Sequence, residues 1–207
     1  MKTKKIIKWI LCAIAAILAI IIAINIKNGK ILELDLKIYD FLSKNIINDK
    51  LTPIVKIITN IGGAKIVIVL TILAIILIKG LKNKLFLLTG VAGTAGLNVV
   101  LKHIIQRERP NINRLIPETG YSFPSGHSMM SMAFYGILIF LIYKYVKNTA
   151  LKWTLIIILT ILLATIGITR IYLGVHYPSD IIGGFLVSLT YLFILTEIYN
   201  KVKIEEK

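Results

Sequence analysis

Six apolar runs dominate this 207-residue chain, at residues 6–26, 61–78, 85–105, 129–143, 153–172 and 181–199. A helix needs about 20 mostly apolar residues to cross the hydrocarbon core of a bilayer. Each run reaches or approaches that length. The runs are continuous, whereas the strands of a membrane barrel alternate apolar and polar residues over ~10-residue segments. The sequence therefore predicts an all-α polytopic membrane protein with six transmembrane helices. Hydrophobic residues make up 57% of the chain and the mean hydropathy is +0.81. That excludes intrinsic disorder, which needs low hydrophobicity, and exceeds the ~45–50% of soluble domains. No internal repeat is visible and no stretch is left for a soluble domain. A single membrane domain over residues 1–207 is expected.

The chain carries 25 Lys and Arg against 10 Asp and Glu, a formal charge of +15. The basic residues are interleaved with the apolar runs, so they read as span-flanking charges and no nucleic-acid partner is expected. Lys2, Lys4, Lys5 and Lys8 precede or open the first run. Lys79, Lys82 and Lys84 lie between the second and third runs, Lys144, Lys147 and Lys152 between the fourth and fifth, and Lys201, Lys203 and Lys207 in the tail. Dense Lys in short loops marks the cytoplasmic side, which places both termini in the cytoplasm. The first run resembles a secretory signal but is too long, and no small-x-small site follows it. An uncleaved span is expected. The lone Cys12 excludes an intramolecular disulfide and reads as a small lipid-facing residue.

Residues 27–60 form the longest polar segment, on the extracytoplasmic side. The stretch 31–47 mixes apolar and charged residues at helical spacing, which predicts an amphipathic helix in the interface. It serves either as a connector packed on the bundle or as a cap over a lipid entrance. Gly90, Gly93 and Gly96, with Ala92 and Ala95, and the pair Gly183 and Gly184 read as close helix-packing positions.

Charge out of place is more informative. An ionisable group at the centre of a span costs ~2.5–3.5 kcal/mol on insertion scales. Lys102, His103, Arg107 and Arg109 stand at the end of the third run, and His127 at the start of the fourth. Arg170 ends the fifth, and His176 and Asp180 open the sixth. By alternation of direction these four ends share one membrane face, so three sequence-distant groups converge.

Their chemistry is that of a phosphate site. Arg offers paired planar donors and Lys a point charge. Pro124 suits the first position of a helix, which would leave the Ser125 and Gly126 amides free at a helix N-terminus. Asp180, four residues after His176, can fix its tautomer and leave the other ring nitrogen free to attack phosphorus. His127 can donate a proton to the leaving oxygen. Lys102, Arg109 and Arg170 can neutralise the phosphoryl oxygens. No acidic pair has metal-ligand spacing near this cluster, so neither metal nor cofactor is expected. His103 reads as structural or interfacial, Arg107 and Arg114 as headgroup-facing or, alternatively, as contacts to the distal part of a substrate, and Glu108 and Glu118 as solvated or paired with those two Arg. Tyr121 and Tyr172 fit an interfacial aromatic belt.

The segments KHIIQRERP, PSGH and TRIYLGVHYPSD match, in order, Lys-x6-Arg-Pro, Pro-Ser-Gly-His and Ser-Arg-x5-His-x3-Asp. On these motifs the chain resembles the type 2 phosphatidic acid phosphatase (PAP2) superfamily, with Thr169 where Ser is usual. The resemblance implies a PAP2-type helical bundle. It implies His176 as nucleophile through a phosphohistidine, Asp180 as its orienter and His127 as general acid. Lys102, Arg109, Ser125, Gly126 and Arg170 would hold the phosphoryl group. It also implies hydrolysis of a lipid phosphate or diphosphate at the outer leaflet. The substrate classes are phosphatidylglycerophosphate, undecaprenyl diphosphate and phosphatidate. Membrane lipids are the expected partners, and no obligate protein partner is evident. A lipid phosphotransferase or a non-catalytic lipid or anion carrier are the alternatives. A carrier needs positive charge but no His pair.

Overall fold

The computed structural model describes residues 2–30, 32–111 and 113–202. Lys203 and Lys207 lie outside the described residues, as do the side chains of Lys2, Lys4 and Lys5. The described chain forms helices α1 (Lys2–Lys27), α2 (Leu32–Asn45), α3 (Thr52–Ile61), α4 (Ala64–Leu77), α5 (Leu81–Ile105), α6 (Gly126–Tyr145), α7 (Thr149–Tyr172) and α8 (Pro178–Lys201), and contains no strand.

Helices α1, α5, α6, α7 and α8 are each long and apolar enough to span a bilayer. Helices α3 and α4 meet at 46° and only as a pair are long and apolar enough for a further, broken span. Helix α4 alone has 14 residues, about 21 Å at 1.5 Å per residue, short of the ~30 Å hydrocarbon core. The bend falls at Gly62 and Gly63. A Cβ on Gly62 would lie 2.2 Å from Ile166 Cγ2, so only glycine lets the bend seat against α7.

Helices α5 to α8 each begin a few residues before the corresponding apolar run. The first turns of α6 and α7 are polar or small and follow side-chain caps. Asn148 accepts from Leu151 N at 2.9 Å at the start of α7, and Ser125 caps α6. Hydropathy alone truncates such turns.

Helix α6 is the hub, packed by α4, α5, α7 and α8. Its Met130, Ala133 and Ile137 meet Leu87, Val67 and Ile166 in the main core. Gly90 lies under Ile137 and Gly93 under the Tyr191 hydroxyl, where an added Cβ would come within 2.1 and 2.0 Å respectively. Gly96 faces open space, so the small-residue stripe is a packing seam for two of its three glycines. Cys12 is buried against α8, its Sγ 3.9 Å from the Thr190 carbonyl, and does not face lipid. On α1 and α4, Ile10, Ile14, Ile17, Ile68, Ile72 and Ile76 point outward. Apolar patches of that extent belong against lipid.

The two ends of the bundle differ. At one end Asn83 of α5 accepts from Tyr145 of α6 at 3.2 Å and from Tyr199 of α8 at 2.7 Å. Lys82 and Lys144 stack on the Tyr199 ring. The other end therefore gathers the C-termini of α5 and α7 and the N-termini of α6 and α8, as span parity requires.

Helix α2 lies at that second end. Its buried face carries Asp35 and Tyr39, while Leu34, Ile38 and Phe41 are exposed. It packs on α7 and α8, and α3 packs on α7. Tyr172 does not join an interfacial belt. It is buried, and its hydroxyl donates to the Asn48 carbonyl at 3.1 Å, pinning the α2–α3 connection.

Candidate active site

At the end opposite Asn83, α8 begins at Pro178 after the loop 173–177. His176 sits in that loop and Asp180 in the first helical turn. Both are buried, at 1% and 0% exposure. Asp180 Oδ2 accepts from the Tyr177 amide at 2.8 Å and from Ser122 Oγ at 2.5 Å, and faces His176 Nδ1 at 3.4 Å. On the other side of the ring, Arg109 Nη1 is 3.1 Å from His176 Nε2. A guanidinium only donates. Nε2 is therefore the acceptor, and the ring proton sits on Nδ1, toward Asp180. Burial, only partly opposed by Asp180, pushes the His176 pKa down from 6.5 to about 4. The ring is neutral at physiological pH, with an in-plane lone pair on Nε2.

Arg109 is fixed by four further contacts. Its Nε and Nη2 donate to Gly120 O and Thr119 O at 2.9 and 3.0 Å, and Nη1 donates to Val175 O at 2.9 Å. Glu118 lies 3.7 Å from Nη2. Arg170, 1% exposed, donates to Thr59 Oγ1 at 3.0 Å and closely to Glu118. Its Nε is buried without a partner among the described residues. Lys102 donates to the Tyr121 carbonyl and lies within Coulombic reach of Arg109, Arg170 and Asp180. His127, on the first turn of α6, feels the charges of Arg170, His176, Arg109 and Lys102. The structure thus brings together Lys102, Arg109, His127, Arg170, His176 and Asp180.

The Pro-Ser-Gly-His turn differs from its sequence-based reading. Pro124 is not the first helical residue. Helix α6 starts at Gly126, with Ser125 as N-cap. Ser125 is fully buried, and its amide is not free: it donates to the Asp180 carbonyl at 3.1 Å. Its Oγ accepts from Ser128 N at 3.4 Å. The Gly126 amide, first in the helix, has no intrahelical acceptor. Ser125 holds the turn against Asp180, while Gly126 and His127 present themselves to the pocket.

Arg107 also differs. It does not face headgroups. Its side chain is 8% exposed and bridges Asp180 Oδ1 at 2.7 Å and Asp35 Oδ2 at 2.5 Å. Glu118 partners Arg170 and Arg109, not Arg107 or Arg114. Arg114 is exposed and braces the Pro110 and Arg109 carbonyls. Sequence reasoning missed Asp35, Thr59, Ser122 and Asn98, which donates to Pro124 O at 3.0 Å. In the sequence nothing sets Asp35 apart from Glu33 and Asp40, the other two carboxylates of α2.

Beside the charged cluster lies an apolar groove of about 530 Å³ between α4, α5 and α6. Ile68, Ile72, Leu88, Ala92 and Ala95 line it, and it ends at Asn98, Gly126 and His127. A chain-like apolar ligand in this groove would deliver its polar end to His127.

Residues 83–204, which include all three motif groups, match the model of the PAP2 superfamily. The chain belongs to the PAP2 superfamily. Its fold superposes on the crystal structure of the PAP2-type phosphatidylglycerolphosphate phosphatase from Bacillus subtilis with a TM-score of 0.85. The match has 27% identity and covers 93% of this chain and 97% of that one. Among curated PAP2-related sequences, Bacillus subtilis phosphatidylglycerophosphatase B is 37% identical over 108 residues, 52% of this chain and 53% of that protein. The undecaprenyl-diphosphatase of Bacillus subtilis is 31% identical over 121 residues, 54% of this chain and 56% of that protein. The chain thus spans about half the length of the curated relatives it matches. As a PAP2 protein it is a multi-pass membrane protein, and these two Bacillus subtilis relatives are named as phosphatases.

Proposed function

We propose that this protein hydrolyses the phosphomonoester or diphosphate of a membrane lipid through a phosphohistidine at His176. The observation that carries this reading is the place of His127, which lines both the cationic cluster and the end of the apolar groove. A lipid phosphate is the ligand that satisfies both surfaces at once.

In the first step the Nε2 lone pair of His176 attacks phosphorus as the bond to the leaving oxygen breaks. His127 gives that oxygen a proton. Asp180 keeps the Nδ1 proton in place and stabilises the positive charge that develops on the ring. Arg170 Nε, Arg109, Lys102 and the Gly126 amide receive the phosphoryl oxygens, with the phosphoryl group replacing Glu118 as the anion between the two Arg. In the second step water attacks phosphorus, His127 takes its proton, and the P–N bond breaks to return the electron pair to Nε2. Inorganic phosphate and the dephosphorylated lipid leave.

The named relatives point to phosphatidylglycerophosphate and undecaprenyl diphosphate as substrates of this chain, with phosphatidate as a third. Lys79, Lys82, Lys84, Lys144, Lys147 and Lys152 flank the opposite end of the bundle. By the positive-inside rule the site faces the extracytoplasmic side of the cytoplasmic membrane, and both termini lie in the cytoplasm.

The test is phosphate release by purified protein in detergent with EDTA present, offering the three lipids in parallel and His176→Ala as control. Release that the substitution abolishes supports the reading. Absence of release from all three by a folded, monodisperse protein removes it in favour of a binder or a transferase.

A further inference from the structure

The proposed mechanism uses one oxygen of Asp180. The other is held by a buried network that reaches back to α2. Arg107 Nη1 donates to Asp180 Oδ1 and to Ser179 Oγ, each at 2.7 Å. Arg107 Nη2 donates to Asp35 Oδ2 at 2.5 Å. Asp35 in turn accepts from the Ser179 hydroxyl at 2.7 Å and the Ser179 amide at 3.0 Å, which caps the first turn of α8. The Tyr177 ring covers the guanidinium, 4.0 Å from its central carbon. Asp35 is 1% exposed. It stands far from His176 in sequence, on a helix outside the three motif groups.

From this network we infer that Arg107, held by Asp35, is a positioning residue for Asp180. A carboxylate with both oxygens anchored cannot rotate about its Cβ–Cγ axis. The Arg107 fork fixes Oδ1, and the plane so defined keeps Oδ2 against Ser122 and the His176 ring. Arg is suited to this because its planar donors bridge two carboxylates in fixed geometry. The Asp35 carboxylate holds Arg107 on Asp180 and away from the phosphoryl pocket. There it would add a fourth cation beside Lys102, Arg109 and Arg170. Helix α2 thereby becomes part of the catalytic apparatus by way of one buried ion pair. The inference deepens the phosphohistidine reading and rests on it.

The test compares wild type, R107Q, R107K, D35N and the R107Q/D35N double variant. A lipid phosphate serves as substrate and inorganic phosphate as competitive inhibitor. R107Q is expected to lower kcat by roughly 10–100-fold, the range seen when the supporting partner of an active-site ligand is removed. KM and the phosphate inhibition constant should hold within about twofold, because the phosphoryl donors are untouched. D35N should show a smaller loss of the same kind. R107K should recover part of kcat through a single contact. The double variant should be no worse than R107Q, because the two residues act through one interaction.

A rise in KM with kcat unchanged in R107Q would make Arg107 a substrate contact and overturn the inference. So would full kcat in D35N, which keeps the size of Asp35 and decides the matter alone if R107Q fails to fold. Wild type without turnover would remove the phosphatase reading and this inference with it. An active wild type with equally active variants would remove this inference only.

Discussion

Arg109 Nη1 stands 3.1 Å from His176 Nε2 and donates to it. The nucleophile candidate and a phosphate-binding candidate therefore meet at the atom that would form the P–N bond. That hydrogen bond must yield when phosphorus arrives, and Arg109 is then placed to follow a phosphoryl oxygen. A site built this way needs Nε2 unprotonated and Nδ1 protonated, which Asp180 on the opposite side of the ring secures.

Asp180→Asn keeps the shape but presents an amide that can donate as well as accept, so the His176 tautomer is no longer fixed. Loss of an orienting carboxylate in a comparable His pair costs about 10⁴ in kcat. A fall of roughly 10²–10⁴ in kcat is expected, with inorganic phosphate still binding. Steady-state kinetics with phosphate inhibition checks both parts.

The buried His176 makes stability depend on pH. Its folded pKa is depressed to about 4 from 6.5, so between those values the unfolded chain binds a proton that the folded one does not. The contribution is fully present above about pH 6.5, declines as pH falls, and is lost below about pH 4. It amounts to about 3 kcal/mol at most. Thermal unfolding in detergent at pH 7, 5.5 and 4 should show a midpoint falling with pH, and His176→Gln should flatten that slope. An equal slope in the variant would mean that His176 is not the group responsible.

Ala92 lines the groove and faces outward from α5, so Ala92→Trp fills the groove without disturbing the core. Turnover of a long-chain lipid phosphate should fall roughly tenfold in kcat/KM, equivalent to about 1.4 kcal/mol of transition-state binding. A water-soluble aryl phosphate should be cleaved at a near-normal rate. Equal losses on both substrates would mean that the groove does not hold the lipid chain.

Gly62 sets the α3–α4 bend against Ile166, with 2.2 Å to an added Cβ. Gly62→Ala should destabilise by about 1–3 kcal/mol through overpacking. Combined with Ile166→Ala, which removes the clashing methyl, the loss should be less than additive. Denaturation midpoints of the two single variants and the double variant decide this.

Much of this organisation is legible in the chain itself. Continuous apolar runs give the five long spanning helices and the bent pair α3–α4, because helices must satisfy their backbone internally in lipid. Span parity then places Lys102, His127, Arg170 and His176 at one end. What is hidden depends on tertiary pairing. Arg107 and Arg109 have the same local surroundings, yet one turns to Asp35 and the other to His176. Asp35 and Thr59 lie on helices outside the motifs, and only packing of α2 and α3 on α7 and α8 brings them in. The free amide expected at Ser125 is taken by the Asp180 carbonyl, a contact between residues 55 positions apart. The bend at Gly62 is invisible to hydropathy, which sees one run from 61 to 78.

The central claim is a covalent phosphoryl group on His176. The most direct measurement is alkaline quench of His127→Ala during turnover of a lipid substrate carrying a radiolabelled terminal phosphate, followed by peptide mapping. On a lipid diphosphate the leaving group is itself a phosphate, which needs no proton from His127, so its loss slows the second step more than the first and the intermediate accumulates. A base-stable, acid-labile label on the peptide containing His176, absent when His176→Ala is added, is the predicted result. Labelling at another residue, or continued phosphate release from the His176→Ala protein, would contradict it.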